Sequence, residues 1–287
     1  MLNGYLYQLS SMLSFGISNL LWKYPQQDMP VYKIITLRSM LTTLLFGVLA
    51  YFLAEGESSL YGWVLAIGIS AVSFWGLLFY NLALKHSTVC QSITVTSASA
   101  IFGVATSIIA YNEPLTLNLL IALSLIILGL FFLEKKKPIL KWGKGTFYAL
   151  LAAFFWGTTF ALFRLPINEL GGLRFSFSLE ATVCLSALIL MLFNKQKEKN
   201  NKIQTPKKVI TTQSYLIIVL LAILCFGGVF FYNKAILLAP VSELSVMGSF
   251  TPVITIIASH LLLKERFKPI QYLGMALTTS AVILLLF

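Results

Sequence analysis

Charge is what this chain lacks most. Only 11% of its 287 residues are charged and 58% are hydrophobic, where a soluble domain carries about a quarter charged residues. A water-soluble globule is therefore excluded, because too few polar side chains remain to cover a surface. Acidic residues are scarcer still, 10 against 21 Lys and Arg. Cysteine numbers three, Cys90, Cys184 and Cys225, with no CxxC spacing, so a disulfide framework is not expected and buried packing is. The two histidines, His86 and His260, stand apart and do not make a metal site. There is no GxSxG, HExxH, GxxxxGK[ST] or GxGxxG, so hydrolase, zinc-protease and nucleotide chemistry have no support. No enzyme activity, metal or cofactor is expected, and an ATP-driven pump would need a separate nucleotide-binding partner.

Apolar stretches of about 20 residues fill the space that charge leaves, each long enough to cross roughly 30 Å of hydrocarbon as a helix. Ten are expected, at 4–22, 33–53, 60–84, 88–111, 115–133, 144–164, 172–193, 213–237, 241–262 and 268–287. The longest connection, 194–212, is rich in Lys, Asn and Gln and reads as a solvated loop. The first stretch has no basic residue before it, Lys23 after it and no clear cleavage site, so it is expected to be a retained span.

The formal charge of +11 is distributed by a membrane rule and is not a nucleic-acid footprint. With ten spans, 18 Lys and Arg fall on one side and only Arg164, Arg174 and Lys234 on the other. Cytoplasmic loops collect Lys and Arg. The loops 134–144 and 194–208 are thus expected in the cytoplasm of a cell with an inner membrane, and both termini outside.

A repeat underlies the ten spans. Phe74–Glu113 lies over Phe226–Glu265 without a gap, so that Phe79-Tyr80-Asn81-Leu82-Ala83 falls on Phe231-Tyr232-Asn233-Lys234-Ala235. Segments 1–137 and 138–287 are expected to hold five spans each. The odd number forces the two copies into opposite orientations. The expected fold is an all-α bundle of two inverted five-helix repeats, with a substrate site near midplane.

Several further features are duplicated. Gly16…Lys23-Tyr24-Pro25 ends the first span of one half, and Gly157…Arg164-Leu165-Pro166 that of the other. Arg38 lies in span two. Span four ends in Tyr111-Asn112-Glu113-Pro114-Leu115-Thr116, and span nine in Leu263-Lys264-Glu265-Arg266-Phe267. Span nine carries Ser249-Phe250-Thr251-Pro252, against Ser97-Ala98-Ser99-Ala100 in span four. In order and spacing these features resemble the drug/metabolite transporter superfamily, in its EamA-like branch, over nearly the whole chain. The resemblance implies a ten-span carrier of small polar or amphipathic metabolites such as amino acids or sugars. It also implies termini inside, against the charge bias, and does not account for Glu180.

Individual residues carry two readings each. Glu180 lies deep in span seven, where a charge costs about 2.5–3.5 kcal/mol. It is either a proton-coupling or substrate-amine site, or a structural partner of Arg38 or Arg174, the latter poorly placed on its own helix. Arg38 either snorkels to headgroups or holds a carboxylate. Ser92, Thr96 and Ser99 share a helical face, and the hydroxyls of this span either glue helices or wall a cavity. Repeat mates Gln91 with Glu243 and Ser97 with Ser249 put polar groups at matching places. Asn81 and Asn233, with Tyr80 and Tyr232, pack against neighbours or face substrate. Trp22, Trp63 and Trp142 read as interfacial anchors, whereas Trp75 and Trp156 are deeper and either pack or line a pocket. Glu113 and Glu265 are expected to favour the N-terminus of each closing helix, with Pro114 suiting an early helical position.

The expected function is a secondary carrier whose halves rock about a midplane site, moving an amino acid or related metabolite, with export the expected direction and proton coupling suggested by Glu180. A sugar or nucleoside uptake carrier is the main alternative. A membrane enzyme or a channel fits the two-copy plan less well.

Overall fold

The computed structural model describes residues 1–54, 58–133, 143–200, 210–263 and 268–286. Trp142, Glu265 and most of the two basic loops lie outside the described residues, as does the side chain of Cys90. All the described regular structure is helical. The helices are α1 (Leu2–Leu21), α2 (Val31–Leu53), α3 (Leu60–His86), α4 (Val89–Thr96), α5 (Ser99–Tyr111) and α6 (Leu117–Leu133), followed by α7 (Lys144–Leu162), α8 (Arg164–Asn200), α9 (Thr212–Ala235), α10 (Val241–Gly248), α11 (Thr251–Leu263) and α12 (Pro269–Leu286). Eight segments are long and apolar enough to span a membrane, counting α4–α5 and α10–α11 as one each. The 20-residue α1 and the 17-residue α6 complete ten. Apolar side chains such as Tyr51, Leu60 and Ile109 are more than four-fifths exposed.

Loop contacts agree with ten crossings. Lys23, after span one, donates to Ser87 O, after span three, at 3.2 Å. Thr211 and Ser214, entering span eight, donate to Asp28, which precedes span two. On the opposite side, Ser59 donates to Glu169 at 2.6 Å, and Glu113 receives the amides of Val241 and Ser242. Each contact joins segments that ten spans place on one face.

Two expectations about continuity change. Spans four and nine are each two helices, and the breaks fall at repeat mates, Ser97-Ala98 and Ser249-Phe250. Both breaks are tight turns. Ala98 N bonds Val95 O at 3.1 Å, and Phe250 N bonds Met247 O at 2.9 Å, a spacing of three residues that ends the α-helical ladder. The expected common face of Ser92, Thr96 and Ser99 is therefore interrupted. The link between spans six and seven is itself helical, and the chain turns into span seven at Gly171, whose φ of 76° needs a residue without Cβ. Asn112, left-handed at φ 53°, closes α5 ahead of Pro114.

The two halves do not form two lobes. The extensive packing is between them: α1 on α9, α2 on α8, α3 on α7 and α8, α5 on α7 and α10, α6 on α12. These faces close a ring in which a helix of one half always stands next to a helix of the other. The order is α1, α9, α2, α8, α3, α7, α4–α5, α10–α11 and back to α1. The pair α6 and α12 lies outside the ring. They meet backbone to backbone, since a Cβ on Gly129 would stand 2.9 Å from Gly274 O and one on Gly274 2.7 Å from Gly129 O. Small residues at such crossings replace the hydrophobic drive that lipid cannot supply.

Candidate functional site

Inside the ring is a cavity of about 190 Å³ lined from all eight ring spans. Three positions build it. The first is the meeting of the two breaks, where Ser249 Oγ donates to Ser97 O at 2.7 Å. Irregular backbone survives in a bilayer only where it is covered by protein or lines a cavity, and Ser97, Ser99, Gly248 and Thr251 are on the cavity wall. The glycines of spans one and six make room for the breaks. A Cβ on Gly157 would stand 2.4 Å from Ser99 O, and one on Gly16 3.5 Å from Thr251 O and 2.6 Å from the Ile254 side chain. Thr255 Oγ1 also donates to Gly16 O at 2.8 Å.

The second is a buried ion pair across α2 and α8. Arg38 Nη1 stands 2.6 Å from Glu180 Oε1 and 2.7 Å from Oε2, and Thr42 Oγ1 donates to Oε2 at 2.8 Å. Arg38 is 4% exposed and Glu180 2%, so each charge would be expensive without the other. The guanidinium carbon lies 5.6 Å from the centre of the Trp22 ring, a cation–π distance. Arg38 Nε is buried with no hydrogen-bond partner.

The third is an aromatic wall. Trp156 lies 5.1 Å from Tyr80 and stacks on Phe160 at 5.8 Å, and Phe160 lies 5.6 Å from Tyr232. Tyr80 donates to Asn19 Oδ1 and Tyr232 to Phe160 O, both at 3.0 Å.

Of the residues given a substrate or cavity reading from sequence, eight are on the cavity wall: Arg38, Glu180, Tyr80, Tyr232, Trp156, Thr96, Ser97 and Ser99. Five others have neighbours elsewhere. Asn81 donates to Leu77 O and accepts from Gln26. Asn233 donates to Ser176 Oγ at 2.7 Å. Gln91 reaches Thr146 at 3.4 Å. Glu243 accepts a hydrogen bond from the Tyr5 hydroxyl. Ser249 stands behind the break as donor to Ser97.

Of the two readings of Arg38, snorkelling falls away, because Glu180 holds it inside the bundle. Other side chains sit differently from expectation. Trp22 is 3% exposed and forms cavity wall under Arg38, so it is no interfacial anchor. Trp75 is exposed on the lipid face and Trp63 is half-buried. Glu113 does bind a helix N-terminus, but that of α10 in the other half and not of α6. Arg164 stands 3.5 Å from its carboxylate. Cys225 is buried as expected and Cys184 only half-buried.

Gln8 and Asn19 on α1 reach the wall without having been singled out. Gln8 and Asn19 are about three turns apart and so share a face; two carboxamides on one side of an apolar span were the available signal. Gln8 Nε2 donates to Leu244 O at 3.1 Å, leaving its buried Oε1 without a partner. Among the described residues no three His, Cys, Asp or Glu side chains could hold a metal ion.

Comparisons with known proteins agree with this architecture. An uncharacterized transporter from Archaeoglobus fulgidus is 27% identical over 232 residues, which cover 78% of this chain and 75% of the relative. A chain in a solved crystal structure aligns with a TM-score of 0.75 at 17% identity, covering 98% of this chain and 94% of that one, a likeness of fold alone. The model of the EamA-like transporter family matches twice, over residues 2–134 and 143–287. The chain therefore belongs to the EamA-like transporter family, as a multi-pass membrane protein of two repeats whose business is moving small molecules across a bilayer.

Proposed function

We propose that the protein is a secondary carrier that exports a small amphipathic metabolite of the amino acid type across the cytoplasmic membrane by alternating access. The observation that carries this reading is the cavity itself. It lies within the ring, is walled by helices of both halves, contains two helix breaks and encloses one compensated pair of charges. Discontinuous helices around a central site are a recurrent carrier plan.

The ring supports one division into moving parts over another. The sequence halves 1–137 and 138–287 interleave, so rocking one against the other would tear most interfaces apart. The repeat relation divides the ring differently, into α1, α2, α9 and α10–α11 on one side and α7, α8, α3 and α4–α5 on the other. These two groups touch mainly through α2 on α8 and α5 on α10, the seams that hold the ion pair and the paired breaks. Tilting about those seams leaves the large interfaces within each group intact, α1 on α9 and α3 on α7 and α8 among them. It opens the cavity first past Tyr80 and Asn19, then past Tyr232 and Phe160, which bridge the groups near opposite faces.

The wall favours an amphipathic cargo over a sugar. The hydroxyls of Ser11, Ser18, Thr96 and Ser97 each donate to a backbone carbonyl, so few donors remain for a polyol. Glu180 is the group through which protons would couple. Basic loops would be cytoplasmic and both termini outside, following the distribution of Lys and Arg. The test is counterflow of radiolabelled amino acids, sugars and nucleosides in proteoliposomes. Saturable exchange confined to amino acids is the expected outcome. Exchange of sugars alone would move the reading to the sugar class, and currents far above carrier turnover would move it to a channel.

A further inference from the structure

We infer that Arg38 and Glu180 act together as the specificity filter of this cavity, admitting molecules that carry both an acidic and a basic group on a bulky apolar body. This deepens the carrier reading and rests on it. The charges on the wall balance. Arg38 gives one nitrogen, Nη1, to both oxygens of Glu180, and Thr42 adds a hydroxyl to one of them. Both side chains are almost wholly buried, and Nε of Arg38 has no partner. Arg38 lines the cavity, so an entering carboxylate that draws the guanidinium away from Glu180 gains this unused donor as well.

The net charge of the entrant decides whether it can stay. A lone anion that took Arg38 from Glu180 would leave the Glu180 carboxylate buried and uncompensated. A lone cation that took Glu180 would do the same to Arg38. Breaking one side of a buried pair is strongly unfavourable, whereas exchanging partners leaves no charge uncompensated. A zwitterion supplies both replacements at once, its carboxylate to Arg38 and its ammonium to Glu180. The pair bridges α2 and α8, one of the two seams between the moving groups, so the same exchange loosens that seam only when the right cargo is present.

The rest of the wall sets the apolar body. Phe15, Trp22, Tyr80, Trp156, Phe160 and Tyr232 all line the cavity, and ring faces accept flat apolar groups by offset or edge contacts. Small hydrophilic zwitterions gain nothing from this surface.

The experiment is isothermal titration of the detergent-purified full chain with three probes that share a phenyl ring and a short carbon chain. These are phenylalanine, 3-phenylpropionate and 2-phenylethylamine. The wild-type protein is expected to bind phenylalanine on the order of a hundredfold more tightly than either singly charged probe, given what an unpaired buried charge costs. Glu180→Gln is expected to shift the preference to 3-phenylpropionate, and Arg38→Gln to 2-phenylethylamine. Should either variant fail to fold, Arg38→Lys keeps the charge and is expected to keep the wild-type order. Equal binding of the three probes by the wild type, a preference for one charge, or no binding of any probe would overturn the inference. So would folded variants that keep the zwitterion preference. A wild-type protein that binds phenylalanine preferentially yet does not move it in proteoliposomes would leave this inference standing and overturn the carrier reading.

Discussion

The two halves of the ring solve the same packing problem with different side chains. The register that lays Gly16 on Gly157 also lays Phe15 on Trp156 and Asn19 on Phe160. In one half Gly76 makes room for the Trp156 ring, and in the other Gly228 makes room for Phe15. In one half Tyr80 bonds a side chain, that of Asn19, and in the other Tyr232 bonds the backbone of its mate, Phe160. The breaks in spans four and nine coincide, although only the second has a proline. Against this symmetry stands the ion pair. The same register puts Leu179 opposite Arg38 and Glu180 opposite Ser39, so neither charge has a charged mate. Backbone approach is what the halves share, and chemistry is where they diverge. A scaffold that must open to both faces needs matched crossings, whereas a single cargo needs one set of partners.

The largest effect is expected at the asymmetric element. Arg38→Met alone should lower stability by roughly 3–5 kcal/mol, because Glu180 is left buried without its counter-charge. Arg38→Met with Glu180→Met should recover most of that loss while exchange stays abolished, and thermal unfolding in detergent beside proteoliposome flux reads both. A double variant no more stable than the single one would show that the pair is not held together by mutual compensation.

Next come the crossings. Gly157→Ala pushes a Cβ into the Ser99 carbonyl, while Gly16→Ala meets mainly the Ile254 side chain. Both should destabilise, by roughly 1–3 kcal/mol as overpacking does, with Gly157→Ala the worse because backbone yields less than a side chain. Equal melting temperatures for the two would mean that the crossings are looser than their mates suggest.

The tyrosines come third. Tyr80→Phe and Tyr232→Phe each remove one hydrogen bond between the two helix groups, worth about 0.6 kcal/mol in a membrane interior. Stability should barely change, but exchange rates should differ between the two, because Asn19 can turn to another partner and the Phe160 carbonyl cannot. Identical rates would restore functional symmetry to the two ends.

The smallest effect is expected for Pro252→Ala. The first break forms at Ser97-Ala98 without proline, so the second should persist and stability should change little. Loss of exchange in a well-folded Pro252→Ala protein would show that the breaks are not equivalent.

A separate pH test bears on Glu180. If proton coupling runs through it, Glu180→Gln should abolish the pH dependence of exchange in proteoliposomes; retention of full dependence would remove that role.

Much of this was legible in the chain alone. Spans of about 20 apolar residues mark helices because only internally bonded backbone survives in hydrocarbon. The gapless repeat and the odd span number fix the inverted plan. Glu180 stood out because charge at that depth is costly. Sequence determined these features because each rests on local composition or on period. Three others rest on contacts between distant segments and were decided only by the tertiary structure. Glu180 faces Arg38 because α8 lies along α2. Trp22 is drawn from the interface into the bundle, where its ring lies 5.6 Å from the Arg38 guanidinium carbon. Gln91 and Glu243, polar mates at matching positions, miss the cavity because their spans break deeper, at Ser97 and Ser249, where the turn carries the backbone to the wall.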